Sequence, residues 1–140
     1  MTALSNLPPQ AVLPLGELTA ETVRRAARTD GQRFLHADCT AAVDKAGVMA
    51  ALARGLKLPR HFGRNLDALY DCVTDLESAS GGSAPGLVLV IDHLPASAGF
   101  DATQLEALLA VFTDAADDFA GRGVGFRVFW SVRTGAPASP

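Results

Sequence analysis

Lysine and arginine are missing from residues 66–118 of this 140-residue chain, a stretch that holds ten acidic residues. Nine of the twelve basic residues precede it and Arg122, Arg127 and Arg133 follow, so the net charge is only −3. Acids with no cations among them point to positive charge supplied by a partner. Cysteine is scarce too. Cys39 and Cys72 are too few for a secreted disulfide framework, and their spacing excludes a metal knuckle, which leaves free thiols in a reducing cytosol. The start, MTALSNLPPQ, lacks the basic residues and apolar core of a signal peptide, and no apolar run reaches the length of a membrane span. A soluble, cytoplasmic protein with no membrane partner is the expectation. A pI near 5.5 argues against nonspecific nucleic-acid binding, which requires a basic surface.

The acids of the block are Asp67, Asp71, Asp75, Glu77, Asp92, Asp101, Glu106, Asp114, Asp117 and Asp118. The first three are spaced four apart. On a helix each such step advances the direction by only about 40°, which lines Asp67, Asp71 and Asp75 along one ridge. Like charges at i and i+4 repel by a few tenths of a kcal/mol per pair. The alternative reading is an ordinary solvated face that keeps the domain soluble. The residues around the ridge decide between them.

Fold class follows from alternation. Residues 1–9, ending in Pro8-Pro9, read as a loose arm, and 134–140 as a disordered tail. Residues 11–15 are at best an edge strand because of Pro14. Thr19 caps a helix running to about Arg28, and 33–39 is a strand. Residues 42–56 carry Val43, Ala46, Val48, Met49, Leu52 and Leu56 at helical spacing, and Leu58-Pro59 ends that helix. Asn65 caps the next one, with Leu66, Leu69, Val73 and Leu76 buried and Tyr70 at the border. A Gly/Ser-rich linker over 78–86 leads to an apolar strand at 86–91. A long helix then starts at Asp101 or Thr103, with Leu105, Leu108, Leu109, Phe112, Ala116 and Phe119 as its stripe, and Gly121 and Gly123 stop it. The last strand is 126–132, where Trp130 is core packing. Strands alternating with helices predict a parallel sheet of α/β type with right-handed crossovers.

Candidate chemistry is thin. Cys72 with His61 suggests a thiol nucleophile and its base, but Cys72 lies about 140° from Asp67, toward the apolar side, where cysteine acts as a small hydrophobe. His36 and Asp38 share a strand face, and two ligands make no metal site. There is no GxxxxGK phosphate loop, and Gly121-Arg122-Gly123-Val124-Gly125 lies between a helix and a strand, the wrong side for a dinucleotide fingerprint. No enzyme, metal or cofactor is expected.

Residues 58–74, Leu-Pro-Arg-His-Phe-Gly-Arg-Asn-Leu-Asp-Ala-Leu-Tyr-Asp-Cys-Val-Thr, resemble the signature of the barstar family, intracellular inhibitors of barnase-like ribonucleases. Beyond it the likeness is one of element order from Arg33 to Val132. The resemblance implies a three-layer fold, a small mainly parallel sheet packed by helices, over 31–133, with 1–30 as an added strand and helix. It also implies a partner ribonuclease with a basic active site, plugged by a helix and its preceding loop whose carboxylates stand where RNA phosphates would. By motif Asp71 is the central carboxylate, Asp67 a second contact, Tyr70 the flanking aromatic and His61 a loop contact. Phe62, Gly63, Asn65 and Asp75 complete that surface, and Asp114 is a peripheral contact through a weaker alignment. Nucleic acid is not a partner, and the free protein is expected to be a monomer. Lys57, Arg60 and Arg64 depart from the pattern by bringing positive charge to a loop that is acidic in the best-known member, where a barnase-type partner would be repelled. The other reading is a barstar-like module with a basic partner that is not a nuclease.

Overall fold

A computed structural model describes residues 7–59, 63–77 and 86–133. Four strands, β1 (Gln10–Pro14), β2 (Arg33–Asp38), β3 (Gly86–Leu94) and β4 (Gly125–Val132), form one parallel sheet in the order β1-β4-β3-β2. The helices are α1 (Ala20–Thr29), α2 (Lys45–Gly55), α3 (Leu66–Thr74) and α4 (Ala102–Gly121). From β2 through β3 to β4 the chain steps one way across the sheet, whereas from β1 to β2 it crosses back the other way. Right-handed crossovers in opposite senses put their helices on opposite faces. The side chains agree. Leu87, Leu89 and Ile91 of β3 pack with residues of α2, α3 and α4, while Val88 and Val90 pack with Val23, Ala26 and Ala27 of α1. The result is three layers around an α/β sheet.

Burial on both sides explains the unbroken apolar run of β3, every residue of which from Gly86 to Ile91 is buried. The strand runs three residues further than its apolar run, because Asp92 and His93 remain in it beside a register shift against β4. The arm is not loose over its last residues. Phe126 N donates to Pro9 O (2.8 Å), and the buried Arg127 donates to Pro8 O (3.0 Å) and Leu7 O (3.4 Å). Desolvation lowers the Arg127 pKa from its ordinary value.

Caps set the helix boundaries. Thr19 and Thr22 form a capping box on α1, and Asp101 and Gln104 form one on α4. The start of α2 differs from the periodic pattern. Asp44 accepts from Gly47 N (2.8 Å) and begins the helix at Lys45, which leaves Val43 67% exposed and Ala46 exposed as well. A hydrogen-bonding cap outweighs two apolar residues that happen to fall at helical spacing. Gly55 packs α2 closely on β2, since a Cβ there would lie 2.4 Å from Ala37 Cα. On α4, Val111 and Ala115 join the buried stripe, and Leu109 is only half-buried. Gly121 is the last residue of α4, and Gly123 makes the left-handed turn after it. Trp130 is half-buried against the core.

Candidate functional site

Asn65 starts α3 by accepting from Ala68 N (2.8 Å), while its amide nitrogen donates to Gly63 O (3.4 Å). Leu69 and Val73 are fully buried, and Leu66, Tyr70, Cys72 and Leu76 are partly buried against the same core. These contacts fix the rotation of the helix and turn Asp67, Asp71 and Asp75 outward, all three exposed. Among the described residues no cation pairs with their carboxylates. Other acids of the block are engaged: Asp92 with Ser131 (2.6 Å) and His36 (3.5 Å), Asp101 as the α4 cap, and Asp118 with Arg122 (2.7 Å). Of the ten acids, three are thus structural and three form the ridge, while Glu77, Glu106, Asp114 and Asp117 are exposed elsewhere.

The C-terminal end of α3 carries a charge opposite to the one its macrodipole favours, whereas Asp67 in the first turn suits the N-terminal end. Arg64 stands just before the N-cap, Asp75 is the C-cap, and the last turn has no basic residue of its own. Compensation comes from distant elements. Arg122, the C-cap of α4, donates to Thr74 O (2.8 Å) while its guanidinium lies 4.3 Å from the centre of the Phe119 ring. Arg33 of β2 donates to Glu77 O (2.8 Å). These two arginines hold the end of the acidic helix in place.

Beside α3 lies an open groove of about 570 Å³. Asp71, Asp75 and Glu77 line it together with Arg33 and Lys57, over Ala68, Cys72 and Leu76, with Pro59 and Gly63 at the loop end. Of the residues expected from sequence, the groove gathers Gly63, Asp71 and Asp75. Asp67 and Tyr70 are carried on the same helix outside its lining, and Asn65 is committed to capping. Asp114 is exposed on α4 and lines no part of the groove. His61 and Phe62 lie outside the described residues, as does Arg60. Arg33 and Arg122 had no local signal, since each reaches α3 across more than forty residues of chain.

Two of the positive-φ residues flank the loop before α3: Lys57 (φ 57°) and Arg64 (φ 55°). The left-handed region costs a residue with a Cβ roughly 1–2 kcal/mol. Lys57→Gly and Arg64→Gly should each raise the unfolding free energy by about 0.5–1 kcal/mol, after allowing for glycine's greater freedom in the unfolded chain. Urea denaturation of the two variants checks this.

The thiols are poorly disposed to act as nucleophiles. Burial, with Asp38 nearby, pushes Cys39 up to about 12, and burial followed by Asp75 and Asp71 raises Cys72. Cys72→Ala should cost about 1 kcal/mol in packing and leave partner binding unchanged, as titration calorimetry would show. At the far ends of β2 and β3, His93 lies 3.3 Å from Asp38 and 3.5 Å from Asp92. Thr40 donates to Asp38 (2.5 Å), and this hydroxyl, more than His93, lowers the Asp38 pKa. Among the described residues no group of three His, Cys, Asp or Glu could hold a metal ion.

A family model described as Barstar (barnase inhibitor) matches residues 32–131, more than two thirds of the chain. The chain belongs to the barstar family. Comparison with curated proteins found no match. The barstar match takes in α2, the acidic α3 and its loop, β3 and α4, and leaves β1 and α1 outside. Barstars are an inhibitor family, so the likeness favours a protein partner of the barnase-like ribonuclease class over a reaction catalysed by the chain itself. Among the described residues no helix is long and apolar enough to cross a membrane.

Proposed function

We propose that the protein is an intracellular inhibitor that binds and occludes the basic active site of a barnase-like ribonuclease through α3 and its preceding loop. It performs no catalysis. The observation that carries this reading is the exposed ridge of Asp67, Asp71 and Asp75, with which no cation among the described residues forms an ion pair, inside the family's matched span. A ribonuclease must present Arg, Lys and His to a phosphodiester, and carboxylates at helical spacing take the place of phosphates in that pocket through charge-assisted hydrogen bonds. The preformed helix, anchored by Asn65 at one end and by Arg122 and Arg33 at the other, keeps the ordering cost of association low.

Capture from an extract of the source cell on the immobilised chain tests the proposal. The captured protein should cleave RNA once released, and one equivalent of the chain should abolish the cleavage. A captured basic protein that does not cleave RNA would favour the module reading instead. Association with the captured nuclease should slow steeply between low and physiological salt, where the screening length falls to about 8 Å, and dissociation should change far less. Stopped-flow rates that stay flat across the salt series would contradict electrostatic steering, a behaviour for which the barnase–barstar pair is itself a reference case.

A further inference from the structure

Three helices of this chain end in one hydrogen-bond pattern, in which the residue after the C-cap turns left-handed and the next N–H reaches back five residues. After α1 the left-handed residue is Gly31 (φ 70°), with Gly31 N to Arg28 O at 3.1 Å and Gln32 N to Ala27 O at 2.8 Å. After α4 it is Gly123 (φ 71°), with Gly123 N to Ala120 O at 3.1 Å and Val124 N to Phe119 O at 3.0 Å. After α2 it is Lys57 (φ 57°), with Lys57 N to Arg54 O at 3.3 Å and Leu58 N to Ala53 O at 2.9 Å. Glycine is the low-strain residue for this position, and the chain uses it twice. Only beside the acidic helix does it use a lysine. The macrodipole of α2 favours a cation here, as it does Arg54 in the last turn, but it asks for no side chain at a left-handed position.

The other end of the loop repeats the anomaly. Arg64 is left-handed (φ 55°). Arg64 also precedes the N-terminus of α3, where the helix dipole disfavours a cation. Both residues are exposed, and neither has an acidic partner among the described residues. Lys57 faces the groove that Asp71 and Asp75 line. Backbone strain held at two exposed, unpaired cations is the pattern of side chains kept for contact with something outside the chain.

We infer that Lys57 and Arg64 form a cationic rim that selects the partner: the nuclease carries carboxylates bordering its basic cleft, and these meet the two cations while α3 fills the cleft. The inference rests on the ribonuclease-inhibitor reading and adds a specificity element to it. A nuclease that is basic all around its cleft is repelled by the rim, so the same two residues admit one class of partner and reject another.

The test uses catalytically inactive barnase as the probe, displayed on phage with the residues bordering its cleft randomised and selected on the full chain. Aspartate and glutamate should be enriched at rim positions, and the selected clones should bind at least about tenfold more weakly to Lys57→Gln/Arg64→Gln. Lys57→Gly, although more stable than the parent, should lose binding to the same clones as Lys57→Gln does, which separates contact from folding. No acidic enrichment, or clones indifferent to the double substitution, would overturn the rim. Selected clones that bind Asp71→Ala as well as the parent would instead overturn the acidic-helix reading, whatever the rim shows.

Discussion

Asp71→Ala should weaken partner binding by about thirtyfold or more, Asp67→Ala by less, and Asp118→Ala hardly at all. The ranking follows from enclosure. Asp71 lies mid-helix and lines the groove, where a basic cleft closing over α3 desolvates it. Truncating one member of a desolvated charge pair costs roughly 2–5 kcal/mol, a range to which the barnase–barstar complex itself contributes, because the partner's cations are left buried and unpaired. Asp67 lies a turn nearer the N-terminus and outside the groove lining, toward the wet edge, where a carboxylate contributes about 0–1 kcal/mol. Asp118 already has an intramolecular partner in Arg122. None of the three substitutions should unfold the protein, and loss of a ridge charge relieves i,i+4 repulsion by a few tenths of a kcal/mol. Dissociation constants for the three variants, measured beside their melting temperatures, check the ranking. Equal losses at all three positions, or a loss at Asp71 that merely follows unfolding, would reduce the ridge to a solvated face.

The acidic ridge was legible because everything that orients it is local: an asparagine cap, apolar residues at 66, 69, 73 and 76, and acids spaced four apart between them. The two strands at the sheet's centre were equally plain from their apolar runs. The start of α2 was not, because Val43 and Ala46 mimic the stripe and only the Asp44 to Gly47 hydrogen bond reveals that they precede or flank it. Contacts across long separations left no trace in local pattern, which is why Arg33 and Arg122 at the end of α3 and the aspartate–histidine cluster joining β2 to β3 emerge only from the fold. The left-handed turn at Lys57 left no local signal either, because the periodicity runs on to Leu56, one residue past the helix, and lysine is not the residue such a turn favours.

Removing residues 1–30 should leave a chain that does not fold stably, even though the family match begins only at residue 32. β1 pairs with β4 along five residues, and α1 is the layer that covers the second face of the sheet. Without them Val88 (0% exposed), Val90 (0%) and Phe129 (2%) meet water. At about 1.5–3 kcal/mol for each side chain, the loss comes to roughly 5–9 kcal/mol, an upper estimate because unfolded chains already bury some apolar surface. That is comparable with the whole stability of a typical domain, about 5–15 kcal/mol. The deletion also strips Arg127 of the Leu7 and Pro8 carbonyls and exposes β4 as an apolar edge, a template for aggregation. Far-UV circular dichroism and urea unfolding of residues 31–140 beside the full chain measure the effect. Val23→Ala in the full chain, which thins the same layer without removing it, should cost about 1–3 kcal/mol and retain cooperative unfolding. A fragment that unfolds cooperatively within a few degrees of the full chain would show that the matched span suffices alone and that β1 and α1 are an accessory to a self-standing core.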